Sequence, residues 1–428
     1  MKETVYDVIV VGAGYSGLCA SYHLRKYGLN HIIFERGRIG ESWLSQRWDN
    51  FRFNSTNKLN VLPGEKEPEH PDLFGTVPAF VSGLTNYVAK HQLPVKENSK
   101  VISIEKPGEF FIVTVSSDDG VRNYLSSQVL ITSGASNEIK TPSLAKSISK
   151  DIQQFHTSKY KNAEQLPGGA VLVIGGAQSG IQITEDLVNA GRKVFLSTSM
   201  VGRIPRWYRG RDIFYWFKDI KFYDESAEEV KDPKLLDLRP PHVAGTGNGK
   251  ESLSLQSLAG KGAVILGKLK NAEGETVFFE PNAADHVRFA DEFSQKIKKM
   301  IDDYITQNKM SAPSPHYDEP DQEDVNASCA CPITELDLKE NNINTIIWST
   351  GFDHDHSFIK LPVFDEKGKL IHKHGIPGYP GVYFLGHPWL RNRKSTILFG
   401  IIEDVDFVVD HIYNYAKQNF RTKEASVS

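Results

Sequence analysis

The feature that most constrains this chain is a glycine turn set between two apolar runs, Asp7 to Glu35, DVIVVGAGYSGLCASYHLRKYGLNHIIFE. The β-branched run Val8-Ile9-Val10-Val11 breaks into Gly12-Ala13-Gly14-Tyr15-Ser16-Gly17. An amphipathic segment with Leu18, Ala20 and Leu24 follows, and a second run, His31-Ile32-Ile33-Phe34, ends in Glu35. Strand, glycine turn, helix, strand and acid in that order make a dinucleotide-binding βαβ unit. Gly12 permits the tight turn, Gly14 lets the backbone approach a pyrophosphate, and Gly17 lets the helix lie close on the strand. The helix N-terminus offers N–H groups and partial positive charge to phosphates, and Glu35 can accept from ribose hydroxyls. The position of the unit near residue 1 leads us to expect FAD in it.

The pattern recurs. Ala170-Val171-Leu172-Val173-Ile174 leads into Gly175-Gly176-Ala177-Gln178-Ser179-Gly180, then a helical segment Ile181 to Ala190 and a strand Lys193 to Leu196. Two such units predict two dinucleotides held face to face. Where the first unit ends in Glu35, the second reaches Ser197-Thr198, so no carboxylate repels a 2′-phosphate. Arg203 and Arg206 follow, and guanidinium forks suit a phosphate. This predicts NADPH rather than NADH, although a solvated basic loop would carry the same arginines.

The rest of the chain supplies the surroundings. Arg36 to Trp43 is a small-residue turn ending in Trp43, read as a loop along the flavin or as a loop anchored by a buried Trp. Arg47 to Ser55 alternates around Phe51 and Phe53 and places Asn54 among aromatics; Asn54 would serve a flavin edge or a turn at a strand end. Phe80 to His91 reads as a helix, and Lys100–Ile104, Phe110–Val115 and Tyr124–Ile131 as a small antiparallel element running into Ser133-Gly134. Asp285 to Gln307 is an amphipathic helix with Phe289, Phe293, Ile297, Ile301 and Ile305 as its core stripe. Thr345 to Trp348 runs into Gly351 and is read as the return to the first domain; a helix over Ile402–Ala416 closes the chain.

Bulk properties exclude several classes. With 428 residues two domains are expected. A net charge of −3 argues against a nucleic-acid surface. Three cysteines, Cys19, Cys329 and Cys331, are too few for a disulfide scaffold, and Cys329-Ala330-Cys331 lacks dithiol-reductase spacing. No histidine cluster points to a metal, and the histidines read as scattered. No run of about eighteen apolar residues is present, so a cytoplasmic protein without a signal peptide is expected.

Taken together, VVGAGYSGL, ERGRIGESW, RWDNFRFNS, FHTSKY, VLVIGGAQSGIQITEDL, GRIPRWYRGRDIFYWF, IIWSTGFD and YFLGHPWLRNRKSTILFG resemble the flavin-containing monooxygenase superfamily over nearly the whole chain. The likeness is to a bacterial flavoprotein monooxygenase branch and to the plant auxin-pathway monooxygenases. It departs from the family before His156, where Lys150 and Ile152 stand in place of Phe-x-Gly. Tyr160-Lys161 argues against ketone-to-ester chemistry. The resemblance implies an α/β fold of two dinucleotide-binding (Rossmann-like) domains, the second inserted in the first, with small antiparallel β elements. Residues 1–150 and 336–428 would form the FAD domain and 151–335 the NADPH domain. FAD would meet Gly12, Gly14, Tyr15, Ser16, Gly17, Glu35, Arg36, Ser42, Trp43, Ser133 and Gly134. NADPH would meet Gly175, Gln178, Ser179, Gly180, Ser197, Thr198, Arg203 and Arg206; Gly351 is a further cofactor-binding candidate, and Asn54 would stand by the reacting flavin carbon and the nicotinamide. The implied activity is insertion of one oxygen atom of O₂ into a nitrogen or sulfur nucleophile through a flavin C4a-hydroperoxide. The same architecture also serves an NADPH oxidase or flavin reductase, or a non-catalytic redox sensor. The expected partners are a small-molecule substrate and O₂, without nucleic acid or membrane; a homodimer is left open.

Overall fold

The structure, a computed structural model, describes residues 4–134, 138–232, 236, 252–315 and 332–427, and side chains only as far as residue 419. The mixed α/β class holds. The first sheet has the order Val95–Lys96, His31–Phe34, Val5–Val11, Gly120–Ile131, Phe111–Ser117, Ser99–Glu105. Its centre is parallel, Val10 opposite Ile33 on one side and Leu130 on the other. Beyond Gly120–Ile131 the sheet turns antiparallel through two hairpins. The predicted antiparallel element is therefore an extension of the nucleotide sheet rather than a separate piece.

The second sheet is wholly parallel, in the order Gln153–His156, Ile343–Trp348, Ala170–Ile174, Val194–Ser197, Val264–Leu266. This corrects one expectation. Ile343–Trp348 does not return the chain to the first domain; it lies inside the second sheet, with Leu172 opposite Ile346. Glu335–Asp337 likewise pairs with Thr276–Phe279 in a three-stranded antiparallel sheet beside it. The chain rejoins the first sheet later, at Val382–Phe384, which pairs with Val129–Ile131. A boundary at 336 is thus early.

Strands covered on both faces explain the unbroken apolar runs. Val8 and Val10 face one core, Ile9 and Val11 another. Val171 and Val173 share the core of Val8 and Val10, whereas Leu172 and Ile174 face a third. One apolar core therefore runs through both units. The helix Val77–His91 buries Val77, Val81, Leu84 and Tyr87, with Phe80 and Val88 half-covered, and it begins three residues before the expected start at Phe80. The helix Ala283–Gln307 buries Ile297, Ile301 and Ile305 as expected, with Phe289 and Phe293 half-covered.

Polar contacts lock the two units. Lys161 Nζ donates to the carbonyls of Leu44, Ser45 and Arg47 at 3.1, 3.1 and 2.8 Å, closing the end of the short helix Glu41–Ser45. Asp186 accepts from Asn50 Nδ2 at 2.8 Å and from Tyr160 OH at 2.6 Å.

Both glycine turns close in the same way. A Cβ on Gly17 would stand 2.1 Å from Gly12 O, and one on Gly180 would stand 1.7 Å from Gly175 O. Gly12 and Gly175 have φ of 112° and 115°, which an L side chain rarely adopts. At Gly14, by contrast, nothing lies within 4 Å of an added Cβ. Gly17→Ala and Gly180→Ala should each cost about 2–3 kcal/mol, because backbone meets backbone and neither can yield. Gly14→Ala should leave the urea midpoint near that of the native chain while weakening nucleotide binding.

Candidate functional site

At the C-terminal edge of the first sheet lies a cavity of about 560 Å³. Its wall carries Gly12, Gly14, Tyr15 and Ser16 of the first turn, Glu35 and Arg36 after the second strand, Ser42 and Trp43, and Ser133 and Gly134. Ten of the eleven residues expected at FAD thus share one cavity. Gly17 stands behind the wall, where it lets the helix Tyr15–Lys26 reach the turn.

Glu35 is 7% exposed; its Oε2 accepts from Ala13 N at 2.8 Å and its Oε1 from Gly37 N at 3.0 Å. Burial pushes its carboxyl up, and these two N–H groups work against that rise. The acid therefore ties the loop after the second strand to the glycine turn. Thr132 braces the turn from the other side, its hydroxyl donating to Val11 O or Gly12 O, both at 2.9 Å.

The far wall draws on the quoted stretches RWDNFRFNS and YFLGHPWLRNRKSTILFG. Arg47 lies with its guanidinium 4.9 Å from the Trp43 ring centre. Burial lowers its pKa to about 10, so it remains a cation at neutral pH. Trp43 in turn meets Phe53 and Phe80 at 4.7 and 5.6 Å. Thr396, Leu398 and Ile401, at the start of the helix Leu398–Val427, close the cavity. The turn before that helix is tied to Asp404, which is 1% exposed: the Ser395 hydroxyl bonds its carboxyl and also accepts from Arg391 N at 3.1 Å. His354, His356 and His387 gather beside the cavity, with ring centres 4.7–5.9 Å apart, so the histidines are not all scattered. Burial lowers His356 to about 4 and His387 to about 3, which keeps both neutral. Spacing along the chain could not reveal this trio, because His387 comes from another loop. No group of His, Cys, Asp or Glu able to hold a metal occurs among the described residues. Cys329 and Cys331 lie outside them.

The second turn stands apart from this cavity. Gly175, Gln178, Ser179 and Gly180 repeat the first geometry, with Ser349 in the bracing place of Thr132. Two details differ from the first unit. The helix cap is Ala177, at φ −83° where Gly14 has −82°, so a methyl group stands where the first unit is open. The hydroxyls of Ser197 and Thr198 turn inward, to Gly267 O at 2.9 Å and Leu266 O at 2.7 Å. Gly351 accepts from His156 Nε2 at 2.9 Å, and His156 Nδ1 accepts from Ser158 N at 3.2 Å, which sets the tautomer.

Both arginines are paired with carboxylates of the chain itself. Neither is a solvated fork awaiting a phosphate. Arg203 is 1% exposed and gives Nη2 to Asp291 at 2.8 Å. Arg206, also 1% exposed, is paired with Asp212, which is fully buried.

Asn54 does not line the cavity. It sits between the units, its Oδ1 accepting from Gln178 Nε2 at 3.4 Å and Gln182 Nε2 at 3.3 Å. Gln182 is 1% exposed, and its Oε1 has no hydrogen-bond partner among the described residues. The sequence placed Asn54 near a flavin but could not show that its partners come from the second unit.

The chain is similar to several known proteins. The family described as pyridine nucleotide-disulphide oxidoreductase matches residues 9–207. An uncharacterised oxidoreductase of Geobacillus kaustophilus, CzcO-like, is 28% identical over 96% of this chain and 100% of its own. The probable indole-3-pyruvate monooxygenase YUCCA9 of Arabidopsis thaliana is 26% identical over 48% of this chain and 50% of its own. The flavin-containing monooxygenase from Stenotrophomonas maltophilia has the same fold at TM-score 0.64 and 19% identity, over 96% of this chain and 99% of that one. A structure titled OTEMO complex with FAD and NADP matches at TM-score 0.56 and 15% identity, over 98% and 87%. No helix of the described residues is long and apolar enough to cross a membrane.

Burial raises the Asp404 carboxyl to about 6, above its value in an unfolded chain. The unfolded chain therefore loses this proton first, and stability falls as pH rises from about 4 to about 6, then stays level. Asp404→Asn should accordingly gain up to about 3 kcal/mol at pH 8. In urea titrations its advantage should vanish by pH 4.

Proposed function

We propose, for a chain that is a relative of the flavin monooxygenase superfamily, that it is an NADPH-dependent flavoprotein monooxygenase acting on a small nitrogen or sulfur nucleophile. The observation that carries this reading is the pair of matched glycine turns with Asn54 between them, bonded to the second unit's Gln178 and Gln182.

The residues fit both nucleotides. FAD fits the cavity: Gly14 leaves room for phosphates at the helix N-terminus, Glu35 stands in the ribose position, and Trp43, backed by Phe53 and Phe80, offers an aromatic wall. NADPH fits the second turn, and Gln182 Oε1, buried and without a partner among the described residues, is an acceptor that a carboxamide N–H would satisfy. The two sheets are then the two dinucleotide domains, the second inserted in the first.

When bound, FAD supplies the oxygen chemistry and NADPH the hydride; the balance is substrate + O₂ + NADPH + H⁺ → oxygenated substrate + NADP⁺ + H₂O. The chain's own part is to orient and to exclude water. The turn at Gly12–Gly17 holds the phosphates. The aromatic wall and the start of the helix at Leu398 shield the reacting edge. Asn54, held at the seam of the two units, offers an amide to the reacting atoms, and no protein nucleophile is required. The preference for NADPH does not come from an exposed Arg206. If Arg203 contributes, it does so by exchanging Asp291 for the 2′-phosphate.

The test is rapid mixing of the FAD-loaded protein with NADPH and, separately, NADH without oxygen, then with oxygen and a tertiary amine or thioether. Fast reduction, a slow return to the oxidised spectrum and one oxygenated product per NADPH support the reading. Prompt peroxide release with every substrate makes it an oxidase, and no reduction by either nucleotide overturns the enzyme assignment. Asn54→Ala should raise peroxide per NADPH while FAD stays bound. Ala177→Gly should lower the KM for NADPH about threefold or more by letting the pyrophosphate approach the turn; an unchanged KM would mean that the methyl group does not face the nucleotide.

A further inference from the structure

A buried ion pair costs more than an apolar contact of the same shape unless its directionality is used. Arg206 and Asp212, 1% and 0% exposed, form such a pair deep in the second unit. The pair is anchored. Asp212 Oδ1 accepts from Phe214 N at 2.9 Å, capping the helix Ile213–Asp219. The Arg206 guanidinium lies 4.1 Å from the ring centre of Phe74 and 5.7 Å from that of Phe214. Backbone bonds hold both ends of the segment: Arg206 N donates to Ser252 Oγ at 3.0 Å and Ile213 N to Arg206 O at 3.1 Å.

The other face of this guanidinium reaches out of its own unit. Nη1 donates to the main-chain carbonyl of Asn54 at 2.6 Å. One residue pair further on, Thr56 Oγ1 meets Tyr215 OH at 3.1 Å. The strand Arg52–Thr56 is therefore held by the 206–215 segment at its backbone, while the Asn54 side chain is held by Gln178 and Gln182. An aliphatic side chain could fill the same space. It could not donate to a carboxylate and a carbonyl at once.

We propose that Arg206, oriented by Asp212, is a positioning residue that sets the Asn54 amide against the second nucleotide unit and thereby controls how much reduced flavin is lost as peroxide. This rests on the monooxygenase reading for its catalytic consequence, though not for its structural one. Arg206 touches no nucleotide; it acts through Asn54.

The experiment compares the FAD-loaded native protein with Arg206→Gln, Asp212→Asn, Asn54→Ala and the double variant Arg206→Gln/Asn54→Ala. Hydrogen exchange by mass spectrometry is read over residues 50–58, and peroxide per NADPH is read with a thioether. Arg206→Gln and Asp212→Asn should speed exchange in that stretch about tenfold, the change expected when one charge-assisted hydrogen bond is lost. They should raise peroxide release with the KM for NADPH unchanged. In the Asn54→Ala background, Arg206→Gln should add nothing further to peroxide release. If Arg206→Gln does not fold, Asp212→Asn, which keeps the shape of the pair, decides the matter. Exchange over 50–58 equal to native in a folded variant overturns the proposal, as does an additive effect in the double variant. A native protein that NADPH does not reduce defeats the monooxygenase reading instead, and the exchange measurement still decides the positioning claim.

Discussion

Two contacts without a Cβ carry this molecule. Gly17 against Gly12 O and Gly180 against Gly175 O let each helix N-terminus descend onto the end of its strand. Only then do the first backbone N–H groups of the helix face the space where a phosphate would lie. The rest follows from that approach. The parallel pairing of Val5–Val11 with His31–Phe34 delivers Glu35 to the turn, where Ala13 N meets it. In the second unit the equivalent register, Ile174 opposite Ser197, delivers Thr198.

Between the units the contacts are polar and directional. Lys161 gathers three carbonyls, Asp186 gathers Asn50 and Tyr160, and Arg206 reaches Asn54. They lie along the strand and loop that follow Trp43, so the first unit from Leu44 to Asn54 is shaped by the second. An apolar core shared by Val8 and Val171 supplies adhesion, and the polar contacts supply register. A site built this way depends on both units being folded, which suits a reaction that must bring one nucleotide to the other.

The local patterns were readable because each is a short-range rule. The glycine turns, the apolar strand runs and the stripe Ile297, Ile301, Ile305 all appeared where periodicity put them. Ile343–Trp348 was misplaced for a physical reason: a buried parallel strand reads as an apolar run whichever sheet it joins. The partners of Arg203 and Arg206, Asp291 and Asp212, could not be told from sequence, because a cation looks the same there whether it faces a phosphate or an aspartate. The histidine trio was invisible, since its members meet only after the chain has crossed both sheets.

The sequence by itself determined that two dinucleotide turns exist, which glycines close them and which acid follows the first, because those features depend on neighbours within about thirty residues. Tertiary structure alone decided which cation is spent on which carboxylate. It also placed Asn54 in the seam rather than in the cavity, and it put Ile343–Trp348 in the second sheet. Charge and hydrogen-bonding capacity are written in the residue type, but the partner that consumes them is chosen by packing between segments far apart in the chain.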